Sequence, residues 1–202
     1  MNEKVFKSLR SKAVPLLVDN IDTDTITPIG RILEGGAAVL KYAFEPLRYD
    51  ANGLPRPGCP LNDPAFKDAR ILIAGDNFAC GSSRETAVWA IRGLGFRVVL
   101  APSFGDIFYS NCFKNGILPI PIDRANLVRL AEIAGERREL TVDLEQQLII
   151  AGELDIAFTI SAFRREALLG GLDDLDIILS RAGARAAFEV RDRTERPWIY
   201  LE

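Results

Sequence analysis

Three short apolar runs, residues 70–74 (RILIA), 97–101 (RVVLA) and 117–120 (ILPI), are each followed by a stretch whose apolar residues recur at helical spacing. This alternation constrains the fold more than any other feature. Strands that read as continuous apolar runs must be covered on both faces. A strand-helix repeat over residues 70–135 therefore predicts a parallel sheet with right-handed crossovers. The first helix carries Ala87, Ile91 and Leu94 on one face and stops at Gly93 and Gly95. Ser103 with Asp106 three residues later reads as a capping-box start for the second, which ends at Gly116. Asp123 caps the third, whose face is Leu127, Leu130 and Ala134 and whose stop is Gly135.

Around this block the chain reads as one domain over residues 1–202. Residues 13–18 form an earlier strand that runs into the polar segment 19–24. Glycines and prolines scattered among aromatic and charged residues make 30–65 an irregular region. Beyond 138 the pattern changes. Residues 140–144 and 147–151 read as a hairpin and 155–160 as a further strand. Helices are expected near 162–169 and 172–185, with a loosely held segment over 190–202.

Composition removes whole classes of function. The formal charge is −3 and no run of five like charges occurs, which argues against nucleic acid or an anionic membrane as partner. The chain has no histidine, so Ser-His-Asp triads, Cys-His dyads and His-ligated metals are excluded. Cys59, Cys80 and Cys112 match no Cys-x-x-Cys pair, zinc site or ferredoxin run and are expected as reduced thiols, Cys80 as buried packing. The apolar stretch 13–18 is too short for a signal peptide and none is long enough for a membrane span, so a cytoplasmic protein is expected.

Chemistry concentrates in Gly81-Ser82-Ser83-Arg84-Glu85, between a buried strand and a helix start. In open α/β sheets ligands bind at such places, and free N–H groups at the helix start favour an anion. Gly81 lets the backbone approach a ligand. Arg84 offers a planar fork that matches a carboxylate. A serine beside that cation has its alkoxide stabilised, a route to a base without histidine. Glu85 suits the helix dipole or orients Arg84. The same residues also suit a plain helix cap with a surface arginine. The second candidate is residues 20–28, where Asp24 and Thr27 can hydrogen-bond a substrate hydroxyl or water, or simply shape an Asx turn.

The segments NIDTDTITP, GDNFACGSSRETA and APSFGDIFYSNCFKNGILPI, in this order, resemble the swivel domain of the aconitase superfamily, and within it the small subunits of the 3-isopropylmalate dehydratases. TVDLEQQLIIAGE and AFRREALLGGLDD extend the resemblance, which is weakest over 30–62. It implies a swivelling β/β/α fold with a partly parallel sheet flanked by helices. It implies a hydro-lyase active only with a large subunit, which carries a [4Fe-4S] cluster while this chain binds no metal. Dehydration and rehydration of 2-isopropylmalate and 3-isopropylmalate in leucine biosynthesis is the expected reaction. A paralogous subunit for methylmalate/citraconate or homoaconitate, and a non-catalytic carboxylate-binding module, are the alternatives. By the resemblance Ser82 is the base and Arg84 the carboxylate grip, with Ser83 assisting. Asp24 and Thr27 then meet substrate or bound water. The chain departs from the family at Thr86, where relatives often carry His, and at Ala79, where they often carry Gly. It also lacks an Arg-Thr-Gly segment. Arg31, Ile32 and Leu33 stand in the specificity loop instead, the last two suiting an apolar side chain and Arg31 a charged group.

Overall fold

A computed structural model of the chain describes residues 5–32, 41–81, 85–172 and 174–200. Seven strands form one sheet in the order β4-β3-β2-β1-β5-β6-β7. They are β1 (Ser8–Leu16), β2 (Ile71–Ala74), β3 (Val98–Ala101), β4 (Leu118–Pro121), β5 (Glu139–Asp143), β6 (Leu148–Ala151) and β7 (Leu154–Ala157). The described helices are α1 (Thr23–Ile26), α2 (Ile29–Ile32), α3 (Glu45–Arg48), α4 (Glu85–Gly93), α5 (Asp106–Lys114), α6 (Arg124–Gly135), α7 (Ala162–Gly170), α8 (Asp174–Ser180) and α9 (Ala182–Glu195). The expected partly parallel sheet flanked by helices is what forms.

β1 is the seam between two kinds of sheet. Its second half runs parallel to β2, with Ala13 opposite Ile71 and Leu16 opposite Ala74. Its first half runs antiparallel to β5, with Ser8 opposite Asp143 and Lys12 opposite Glu139. β2, β3 and β4 continue the parallel part and β5, β6 and β7 the antiparallel part. The strand expected at 13–18 therefore starts and ends earlier. Its first residues line a half-exposed antiparallel face and show no apolar run, while Leu17 and Val18 lie exposed beyond the sheet. Pro15 is tolerated in this strand because β5 pairs only with Ser8 to Lys12 and leaves the later flank without a ladder.

The parallel strands bury both faces, as their continuous apolar composition requires. Ile71, Ile73, Val98, Leu100, Leu118 and Ile120 pack with Leu127, Leu130 and Ala134 of α6. Leu72, Ala74, Val99 and Ala101 pack with Ala87, Val88 and Ile91 of α4 and Phe108 and Cys112 of α5. Burying each large side chain stabilises by roughly 1.5–3 kcal/mol before chain entropy is subtracted. Asp123 caps α6 as expected, accepting from the Asn126 N–H at 2.9 Å.

Two expectations need correction. Ser103 does not cap α5; the N-cap is Gly105, and the Ser103 hydroxyl is engaged with Asp76 and Asn77. The helix expected at 172–185 is two helices, α8 and α9, and α9 runs to Glu195. Its end is closed by Asp192, buried, which accepts from Arg196 Nε at 2.6 Å and from the Tyr200 hydroxyl at 2.7 Å. The Tyr200 hydroxyl and Arg196 hold the Asp192 carboxyl below the usual range.

Candidate active site

The carboxyl ends of β1, β2 and β3 deliver three loops to one edge of the sheet. The same dipeptide, Asp-Asn, follows both β1 (Asp19-Asn20) and β2 (Asp76-Asn77). Asp19 Oδ1 accepts from the Asp76 N–H at 2.8 Å, and the Asn20 N–H donates to the Asp76 carbonyl at 2.8 Å. Asn77 Nδ2 donates to Asn20 Oδ1 at 2.9 Å. Both asparagines are left-handed, at φ 57° and 52°, a conformation their short polar side chains tolerate. Arg124 approaches Asp19 Oδ2 at 3.3 Å. The Asp76 N–H and then Arg124 hold the Asp19 carboxyl below the usual carboxylate range.

From Asn77 the chain runs between the other two loops as an extra crosspiece. On one side the Phe78 N–H donates to the Ser103 carbonyl at 3.0 Å and the Gly105 N–H to the Phe78 carbonyl at 2.9 Å. On the other, the Thr23 N–H donates to the Cys80 carbonyl at 3.0 Å, and Asp22 pairs with Cys80. Phe78 is fully buried, edge-on to Phe104 and Phe108. Ala79 is held at φ 58°, a left-handed conformation that costs an L-residue roughly 1–2 kcal/mol. Glycine would adopt this conformation without that cost. Gly105 is needed for close approach, since a Cβ there would lie 2.4 Å from the Ala79 carbonyl oxygen.

A recess of about 350 Å³ opens here between Asn77, Ala79, Cys80 and Gly81 on one wall and Gly105 and Asp106 on the other. Gly81, at φ 91°, ends the crosspiece; a Cβ there would make only ordinary contact with Asp22, so the glycine serves the backbone dihedral rather than space. Ser82, Ser83 and Arg84, the expected base, assistant and carboxylate grip, lie outside the described residues. Their flanks are placed. Gly81 enters from the crosspiece, and Glu85 opens α4, its Oε1 accepting from Asn115 Nδ2 at 2.9 Å. Glu85 thus ties the start of α4 to Asn115, which caps the end of α5.

Asp24 sits exposed in the first turn of α1, a helix capped by Asp22 accepting from the Thr25 N–H at 2.6 Å. Thr27 is fully enclosed, and its hydroxyl donates to the Thr86 carbonyl at 3.4 Å. The two residues expected to meet substrate therefore differ in access, Asp24 open and Thr27 set against the first turn of α4. Thr86 Oγ1 is itself buried and makes no hydrogen bond among the described residues. In the specificity loop, Arg31 is half-buried with its fork on Glu45, Nε to Oε2 at 3.0 Å and Nη2 to Oε1 at 2.8 Å, and lies 3.9 Å over the Tyr42 ring. Arg31 holds the Glu45 carboxyl below its usual range. Ile32 ends α2, and Leu33 lies outside the described residues.

Of the thiols, Cys112 is the buried one, and its surroundings push it well above the usual thiol range. Cys80, expected as buried packing, is half-exposed, with Sγ 3.8 Å from the Asn20 carbonyl. Among the described residues no three His, Cys, Asp or Glu side chains converge as metal ligands. No described helix is long and apolar enough to cross a membrane. Sequence reasoning missed Asn20, Asn77 and Ser103. The signal that marks the asparagines is the Asp-Asn dipeptide repeated after two adjacent strands.

Residues 4–125 match the family described as the aconitase C-terminal domain. A 3-isopropylmalate dehydratase small subunit from Sinorhizobium fredii is 47% identical over 199 residues, covering 96% of this chain and 98% of the relative. The corresponding subunit from Ruegeria sp. is 44% identical over 200 residues, with the same coverage. The crystal structure of 3-isopropylmalate dehydratase from Methanocaldococcus jannaschii superimposes with a TM-score of 0.64 at 25% identity, covering 89% of this chain and 98% of that one.

Proposed function

The chain belongs to the 3-isopropylmalate dehydratase small-subunit family, within the aconitase superfamily, and on that footing we propose that it joins a large subunit to interconvert 2-isopropylmalate and 3-isopropylmalate in leucine biosynthesis. The observation that carries the reading is similarity at 44% and 47% identity over nearly the whole of both chains, not over one motif. The partner supplies the [4Fe-4S] cluster, and the assembled enzyme works in the cytoplasm.

The reaction removes a proton from a carbon next to a carboxylate and a hydroxyl from its neighbour, then returns water with the positions exchanged. Ser82 takes the proton, its alkoxide favoured by the adjacent guanidinium and the start of α4. Arg84 grips the carboxylate through its fork, and Ser83 assists. Asp24, exposed at the start of α1, is a group this chain offers to the substrate hydroxyl. Thr27 contributes through its bond to the Thr86 carbonyl, which fixes α1 against the first turn of α4. Arg31 arrives already paired with Glu45, so its charge is compensated within this chain, which favours an apolar isopropyl group over a second charged group.

Reconstitution with a cluster-bearing large subunit tests the reading. Wild type is expected to form isopropylmaleate from 2-isopropylmalate, and Arg84→Lys to lose activity by at least about tenfold, because a point charge does not replace a bidentate fork. Failure with isopropylmalate but turnover of citraconate or homoaconitate would transfer the substrate assignment to a paralogous branch.

A further inference from the structure

We propose that Ser103 is a positioning residue for this reaction, acting through Asp76 and Asn77 to fix the crosspiece that ends at Gly81, immediately before Ser82 and Arg84 in sequence; the inference rests on the function proposed above. Its hydroxyl donates to Asp76 Oδ1 at 2.5 Å and accepts from the Asn77 N–H at 2.9 Å. Asp76 and Asn77 are in turn bound to Asp19 and Asn20 on the β1 side. One hydroxyl after β3 therefore locks the loop after β2, which is also tied to the loop after β1.

The placement speaks for function rather than fold. Asp76, Asn77 and Ser103 are all exposed, and exposed hydrogen bonds between side chains add little to stability because water competes for the same groups. The strands below are held by the buried apolar faces. What the brace does hold is the start of a left-handed stretch: Asn77, bonded to Ser103, is left-handed, and two residues on Ala79 is left-handed too, where an L-residue other than Asn or Asp is strained. Strained backbone persists only where its surroundings over-determine it, and it collects at sites that must be pre-organised. Base and carboxylate grip follow directly in sequence, so a loosened crosspiece misplaces both. Proton abstraction needs a near-attack geometry, so kcat is the parameter most sensitive to such a shift.

The test uses Ser103→Ala and Ser103→Thr in the complete chain, reconstituted with the large subunit. The alanine variant is expected to lose at least about tenfold in kcat, with KM within about twofold. Its thermal midpoint should move by no more than about 4 °C, as fits loss of one exposed bond. Threonine, which keeps the hydroxyl, restores kcat. Unchanged kcat in Ser103→Ala, or parallel losses of kcat and thermal midpoint in both variants, overturns the assignment. Amide exchange of the peptide spanning residues 75–86 in the isolated chain separates this from the substrate reading. If wild type turns over no isopropylmalate, that reading fails, and faster exchange in the alanine variant alone still upholds the brace, whereas unchanged exchange sinks it.

Discussion

Gly105→Ala is a substitution whose sign reports directly on the crosspiece. Gly105 has φ −61° and ψ 132°, a conformation any L-residue adopts freely. At such a position alanine normally stabilises by about 0.4–1 kcal/mol, because it narrows the unfolded ensemble. Here its Cβ would lie 2.4 Å from the Ala79 carbonyl oxygen and 3.3 Å from Cys80 Cα. Ordinary contact begins near 3.4 Å, so backbone must give way by about 1 Å. Neither neighbour is the free end of a side chain, and Ala79 is already held left-handed. Overpacking of this kind costs roughly 1–3 kcal/mol. At about 2–4 °C per kcal/mol for a chain of this size, a fall in thermal midpoint of about 2–12 °C is expected. The same displacement passes along Cys80 and Gly81, so activity of the reconstituted enzyme should fall by one to two orders of magnitude. Thermal and urea unfolding of the isolated chain read the stability effect. A rise in midpoint would refute the reasoning, since it would mean that the loop after β3 does not press on the crosspiece.

Glu45 has its folded pKa lowered by Arg31, so its contribution is present above the unfolded value of 4.5 and is lost as pH falls through the lower folded value. Glu45→Gln should therefore cost about 0.5–1 kcal/mol near neutrality, a figure kept small because the pair is about one-third exposed, and flatten the acid limb below about pH 4.5; thermal midpoints across pH 3–7, roughly the carboxylate range and above, would show whether the two curves converge. Brief alkylation of the native chain, read by mass spectrometry, should label Cys59 and Cys80 and spare Cys112 until unfolding, as burial raises that thiol; rapid native labelling of Cys112 would contradict the packing of α5 on the sheet.

The parallel block was legible because its chemistry is local. Apolar runs long enough only for strands, helical spacing between them, and stop signals at Gly93 and Gly95 all point the same way. The Asp123 cap and the Gly135 stop around α6 likewise depend on neighbours within one turn. Ser103 failed as a local reading. Serine three residues before aspartate satisfies a cap pattern, yet its hydroxyl finds better partners on a loop that is distant in sequence and adjacent in the sheet. The first half of β1 failed for a related reason, since Ser8 to Lys12 become a strand only through pairing with β5.

The candidate site divides the same way. The sequence by itself supplied the candidate reacting groups: Ser82 and Arg84 in one motif, Asp24 and Thr27 in another, no histidine to compete with them, and a family resemblance from which their proposed roles are taken. Tertiary structure alone decided how this chain presents them. Pairing of Cys80 with Asp22 sets the two motifs side by side, Thr27 turns toward Thr86 while Asp24 lies exposed, and Glu45 takes the fork of Arg31. Residue type and spacing fix which chemistry a loop can perform. Only the register of neighbouring strands fixes which loops meet, because that register is set by contacts between segments far apart in the chain.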